Sequence, residues 1–464
     1  MIDLFLTAFV FALFAAGLRK PFIWVLAYVY IDVLAPQKIS WFLLEKLPIS
    51  LIAFGLAFLG WAYADAKNGS RFTFRQMLIV ALLLYCGATT ITADFPEDAL
   101  AKWDWVWKAL VFAIFLPLTL RTRLRIESTA LVMTLTAGAI IIPAGIKTLA
   151  SGGGYGSLHL LVNDNVGLYE GSILSTVAIA IIPLALWLAR HGTIFRPDWR
   201  VKLFAWGLCF ACALMPVGTE ARTGLVCLAI LIGLSLRDVK RRFMYVALIG
   251  AAGLLAVPFL PASFTQRMET IGDHKADQSA STRLAVWQWT IAFAKDHPFG
   301  GGFDAYRQNR LAIDIVDTQA SGNTTAVQTT TLEDKARAYH SAYFEMLGEQ
   351  GYPGLALWLL LHILGVWQME RIYRRHRRNP DPQAAWIAPL ASALQRSQIV
   401  YLVGSGFVGI AFQPFCYMIV ALQCGLWSWT RRHESAQVQV VAHHVRKRSR
   451  PDATAPPASV ESVA

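Results

Sequence analysis

Residues 172–189 read SILSTVAIAIIPLALWLA, and Arg190 and His191 close the run. No charge interrupts it. An apolar stretch of about 18 residues or more can cross the hydrocarbon of a bilayer as a helix. Comparable runs lie at 2–18, 21–36, 48–65, 77–93, 105–120, 128–149, 203–218, 222–236, 243–261, 353–370, 397–412 and 413–430. Together they make thirteen candidate spans, the shorter ones needing tilt or a partner helix. In lipid the backbone must satisfy its own hydrogen bonds, so each run predicts a helix. A barrel would alternate apolar and polar residues, and these runs do not.

Composition agrees. The chain has 464 residues, 55% hydrophobic and 16% charged, with a mean hydropathy of +0.45. Soluble domains carry about 25% charged residues, so a soluble enzyme is excluded. The predicted fold is an all-α polytopic membrane bundle of about 12–13 transmembrane helices with a long, partly helical periplasmic loop. The expected divisions are N-terminal spans at 1–120, central spans at 121–262, a catalytic loop at 263–352, C-terminal spans at 353–430 and a disordered tail at 431–464. The run at 2–18 lacks a basic leader and a cleavage site, so it reads as a retained span.

The net charge of +12 would hint at nucleic acid in a soluble protein. Here the basic residues cluster between spans: Arg19 and Lys20, Arg121–Arg125, Arg190–Lys202, Arg237–Arg242 and Arg371–Arg378. Basic loops stay in the cytoplasm. That rule puts the N-terminus outside and the C-terminus inside, and all five clusters agree. The turn from Asp94 to Trp105, with four acids and one lysine, then faces out. Cys86, Cys209, Cys212, Cys227, Cys416 and Cys424 all lie within apolar segments, so no disulfide framework is expected.

Two external loops hold the chemistry. Ser151–Gly171 is glycine-rich and contains Asp164 and Glu170, with Lys147 just before it. It lacks the lysine of a P-loop. The second runs from about Pro261 to Tyr352, far longer than a turn requires. Arg283 is read as opening an amphipathic helix there that Pro298–Phe303 ends, with Trp287 on the same face. Asp317–Thr331 reads as flexible. A second helix is expected from Ala336 through Tyr339, His340 and Glu349 to Gly351. Arg222, beside Glu220, begins a span on the same side. Guanidinium forks onto phosphate oxygens, and a helix N-terminus adds positive potential. Two such arginines suit a diphosphate, and imidazole is the usual proton acceptor near neutral pH. No metal-ligand spacing appears, so no metal and no cofactor are expected. Lys108 in a span needs a counter-charge, and Asp104 is near enough to supply it.

Arg222–Leu225, then Arg283–Trp287 leading to Pro298–Phe303, then His340–Glu349 leading to Gly351 and Gly354, resemble in that order the O-antigen ligase and polymerase superfamily of bacterial inner membranes. Leu18–Phe22, Ala35-Pro36, Trp103–Lys108 and Lys147 with its glycine-rich loop resemble one branch, the O-glycosylation ligases associated with exosortase A systems. Ser341 stands where asparagine is common, and Glu220-Ala221 replace a hydroxyl-bearing neighbour. The resemblance implies a metal-independent glycosyltransferase on the periplasmic face of the inner membrane, working in polysaccharide or exopolysaccharide biosynthesis. It implies an undecaprenyl-pyrophosphate-linked glycan as donor and an acceptor hydroxyl on a glycan, lipid or protein. Arg222 and Arg283 would hold the diphosphate, and His340 would orient or deprotonate the acceptor. Lys147, Asp164, Glu170, Glu220, Trp287, Tyr339 and Glu349 are supporting candidates. A repeat-unit polymerase and, from another class, a glycan transporter are the alternatives. A transporter needs two related halves and polar residues at mid-membrane. No halves are evident, and the ionisable residues look gathered at the outer edge.

Overall fold

The computed structural model describes residues 2–41, 43–65, 67, 72–152, 167–237, 239–256, 258, 260–261, 264–265, 278–321 and 324–448. The protein is an all-α polytopic membrane bundle. Each of the thirteen apolar runs carries one helix: α1 (Ile2–Arg19), α2 (Phe22–Leu34), α3 (Ile49–Ala64), α4 (Phe74–Ile91), α5 (Pro96–Thr119), α6 (Arg123–Ser151), α7 (Gly171–His191), α8 (Trp199–Gly218), α9 (Arg222–Leu236), α10 (Arg242–Ala256), and, beyond the helix α11 (Gln278–Asp296), α12 (Ala342–His376), α13 (Ile387–Gly404) and α14 (Pro414–Arg448). Among the described residues five of them, α4, α6, α7, α8 and α12, are long and apolar enough to cross a membrane.

The stretch at 172–189 is the axis of the molecule. A helix apolar all round is suited either to lipid or to a protein interior, and α7 takes the interior, packing on α6, α8, α9 and α13. Its residues from Ile173 to Ala185 are buried without a break. Around it, α2 packs on α3 and α6, while α4, α5, α12 and α14 form a second packed group. The Asp104 carboxylate lies 2.8 Å from Lys108 Nζ, so the expected counter-charge is in place.

The structure differs from the sequence reading at five points. Residues 310–335 are an antiparallel hairpin, β1 (Arg310–Ser321) and β2 (Thr324–Lys335), with Arg310 opposite Lys335. The expected flexible stretch falls within it. Many of its residues are β-branched, among them Ile313, Ile315, Thr329 and Thr331, and such residues favour strand. Secondly, the helix after the hairpin starts at Ala342, so His340 precedes it, in a left-handed conformation (φ 49°). Thirdly, Arg283 is inside α11, which starts at Gln278. Fourthly, α14 continues to Arg448 into the expected disordered tail. Its Gln, Val, Ala and Arg residues carry no helix breaker. The fifth is a buried polar cluster, described below.

Candidate active site

Arg222 is the first residue of α9, with Ala221 at the N-cap and Glu220 left-handed just before it (φ 51°). Arg222 is half-buried and Glu220 buried. Two residues on, Gly224 sits against Ser175 of α7 and Pro216 of α8. Thr176, next along α7, lies under Gly404 of α13. The adjacent Ser405 carbonyl accepts a hydrogen bond from the Ala342 amide at 2.8 Å, two residues after His340. These contacts put the start of α9 and the start of α12 at one end of the bundle.

The loop helix delivers the second arginine to that end. Trp287 stacks on Phe344 of α12 (centroids 4.8 Å apart, planes at 6°) and donates from Nε1 to the Tyr339 carbonyl at 2.9 Å. Val286, Leu311 and Tyr339 are buried together beneath it. Arg283, one turn earlier, is thereby close enough for its charge to act on His340. His340 itself is exposed. Partial burial, then the charges of Arg283 and Arg337, hold its imidazole below the usual histidine range. It is therefore neutral near pH 7 and able to take a proton.

An ion cluster that sequence reasoning missed underlies this loop. Lys102 Nζ on α5 lies 2.7 Å from Glu345 Oε1, 2.7 Å from Glu349 Oε1 and 3.8 Å from Asp304 Oδ1. Glu349 also accepts from the Asp304 amide, and Glu345 from the Ala411 amide at 3.0 Å. Burial lifts the Asp304 carboxyl above its usual range, while Lys102 and Arg307 pull it back. The signal was readable: Glu345 and Glu349 share a helix face at i,i+4, and Lys102 is the one cation in the acidic turn from Asp94 to Trp105.

The glycine run Gly300–Gly302 threads into a break in α12 at Gly351 (φ 62°). The Gly301 and Gly302 amides donate to the Gly348 and Glu349 carbonyls at 3.0 and 2.9 Å, and the Tyr352 amide donates to Pro298 at 2.9 Å. Gly302 has φ 80°, and a Cβ there would overlap Ala93. At the neck of the hairpin, the Asn309 side chain donates to the Arg337 carbonyl (2.7 Å) and accepts from its amide (2.9 Å). The Ala336 amide donates to the Asn309 carbonyl at 3.0 Å.

The other expected residues fall as follows. Glu170 caps α7, accepting from the Ile173 amide at 2.7 Å. Lys147 is exposed near the end of α6. Tyr339 is buried, its hydroxyl over Gly348 and without a hydrogen-bond partner among the described residues. Asp164 lies outside the described residues. Among the described residues no group of three His, Cys, Asp or Glu side chains is placed to hold a metal.

The residues from 207 to 359 match the family described as O-antigen ligase. Residues 1–193 match a family of unknown function, DUF5935. No curated protein matches the chain. The segment similar to the O-antigen ligase family takes in Arg222, Arg283, His340, Glu345 and Glu349. Lys102, which ties the last two down, comes from the region matched by the family of unknown function.

A second polar cluster lies inside the bundle and corrects the expectation that ionisable groups keep to its outer edge. Arg75 on α4 is fully buried and donates from Nε to the Leu361 carbonyl at 3.1 Å. Its terminal nitrogens have no hydrogen-bond partner among the described residues. Gln398 Nε2 is 2.9 Å from His362 Nδ1, and Gln423 Nε2 donates to Gln398 Oε1 at 2.8 Å. In the sequence Arg75 sits at a span boundary, but α12 covers that end of α4.

Proposed function

We propose that this protein is an inner-membrane glycosyltransferase that moves a glycan from a polyprenyl diphosphate to an acceptor hydroxyl on the periplasmic face. The membrane bundle and the similarity of residues 207–359 to the O-antigen ligase family support a glycan-handling membrane protein. Its main support is the loop that brings Arg283 within electrostatic reach of His340, at the end of the bundle where α9 starts with Arg222. In the reaction His340 takes the proton of the acceptor hydroxyl. The acceptor oxygen bonds to the anomeric carbon as the bond from that carbon to the diphosphate oxygen breaks. The electron pair leaves with the diphosphate, and attack from the opposite face inverts the configuration. Arg222 and Arg283 offset the charge that grows on the leaving group, and fixed cations contribute most when the site excludes water. The distribution of the basic loops supports an orientation with this end outside the cytoplasm.

The resemblance of the N-terminal half to exosortase-associated O-glycosylation ligases favours transfer of finished chains over polymerisation of repeat units. Reconstitution with a defined polyprenyl-diphosphate glycan tests both points. Arg222→Ala, Arg283→Ala and His340→Ala should each abolish transfer while the protein remains in the membrane. Wild-type transfer by all three would overturn the mechanism. Single-unit addition to a second lipid-linked glycan would identify a polymerase. The buried Arg75 cluster is the feature that a transporter reading would use, and donor translocation without transfer in the same vesicles would favour it.

A further inference from the structure

At the end of the bundle away from Arg222 lies a cavity of about 510 Å³ between the last turns of α7, α9 and α12 and one face of α13. Ser235 lines it and Arg222 starts the same helix, so the two ends are separated by about 20 Å of helix rise. Arg190, His191, His376, Arg377 and Arg396 line the cavity, and among the described residues no carboxylate does. Of the described acids near it, Glu370 pairs with Arg237 and Arg374, Asp381 accepts from the Gln383 amide at 2.8 Å, and Glu434 pairs with Arg375 at 3.0 Å and lies 3.9 Å from His376. The volume is that of a small-molecule site.

The cavity has two chemical zones. Its rim is cationic, while its lining continues along α7 from Arg190 back to Ile182, about 12 Å of helix rise, and includes Leu231 of α9. A soluble anion would need only the rim. A charged rim continuous with an apolar floor fits a phosphate joined to a hydrocarbon chain. We propose that this cavity binds one anionic bilayer phospholipid, its phosphate held by Arg190 and Arg377 and the upper part of an acyl chain lying over Ile182 and Leu231. Guanidinium groups fork onto phosphate oxygens, and basic pockets between spans on the cytoplasmic side are suited to such headgroups. The lipid would tie α7, the axis of the bundle, to α9 and α12, the helices that start at Arg222 and just after His340.

The test needs no glycan transfer, so it stands apart from the function proposed above. The purified protein is exchanged into nanodiscs of phosphatidylcholine with a minor fraction of phosphatidylglycerol, and retained lipid is counted by native mass spectrometry. Wild type should retain about one phosphatidylglycerol per chain. The pair Arg190→Gln with Arg377→Gln should lower its affinity at least tenfold. The charge-matched pair Arg242→Gln with Arg371→Gln, outside the cavity, should leave it within twofold. Ser392→Trp, which fills the cavity and removes no charge, should abolish retention even if the arginine pair fails to fold. Equal loss in both arginine pairs, or retention by Ser392→Trp, would overturn the proposal. So would binding of inorganic phosphate to delipidated protein with no preference between the two lipids.

Discussion

Replacing Lys102 with methionine isolates the energetics of the buried cluster. Methionine keeps much of the side-chain volume and removes the charge. Glu349 is fully buried and Glu345 nearly so, so two carboxylates lose the ammonium that lies 2.7 Å from each. Removing one partner of a buried ion pair typically costs about 3–5 kcal/mol. Each glutamate keeps one backbone donor, Asp304 for Glu349 and Ala411 for Glu345, which points to the lower end. About 3 kcal/mol is roughly two powers of ten in the folded-to-unfolded ratio. Denaturant unfolding of the purified protein in one detergent should show that loss. Adding Glu345→Gln and Glu349→Gln to Lys102→Met should recover at least half of it, because the uncompensated charges are gone. A Lys102→Met variant within about 0.5 kcal/mol of wild type, or a triple variant no more stable than the single one, would refute the reasoning.

Three other outcomes follow from the geometry. Gly302→Ala forces a side chain into the left-handed region and onto Ala93, costing about 1–3 kcal/mol; limited proteolysis should then cut between 298 and 304 faster than in wild type. The neutral imidazole of His340 should carry activity, so transfer falls as pH drops through a midpoint below the ordinary histidine value; Arg283→Gln removes a cation that depresses it, and an NMR titration of His340 should move upward. Trp287→Ala loses both the Phe344 stack and the bond to the Tyr339 carbonyl, a change of about 2 kcal/mol for a partly buried aromatic with one hydrogen bond, while Trp287→Phe keeps the stack; loop proteolysis should separate the two variants.

Much of the architecture was legible because span formation is a local property. The run at 172–189 carries its whole reason for being a helix within itself. Boundaries were less legible: α5 begins at Pro96, well before its apolar run at 105–120, because Pro96, Glu97 and Asp98 suit a first helical turn. The candidate site was legible in outline where motif residues are close in sequence, as at Arg222 and its span. It was not where contacts join distant segments. Lys102 meets Glu349 across 247 positions, and only folding shows that an acidic turn, a glycine loop and the start of α12 converge there. His340 looked helical because its neighbours favour helix, yet Asn309 and the hairpin neck set the backbone just ahead of it.

That neck gives the protein an unusual latitude. Asn309 and residues 336–337 close the hairpin with three hydrogen bonds, and everything between them leaves and returns at one point. Strand length or the tip can therefore be varied by descent, or exchanged by an engineer, while the segment feeding His340 keeps its path. The hairpin is the natural place for relatives to diverge and for an affinity tag to be inserted without disturbing the residues beneath it.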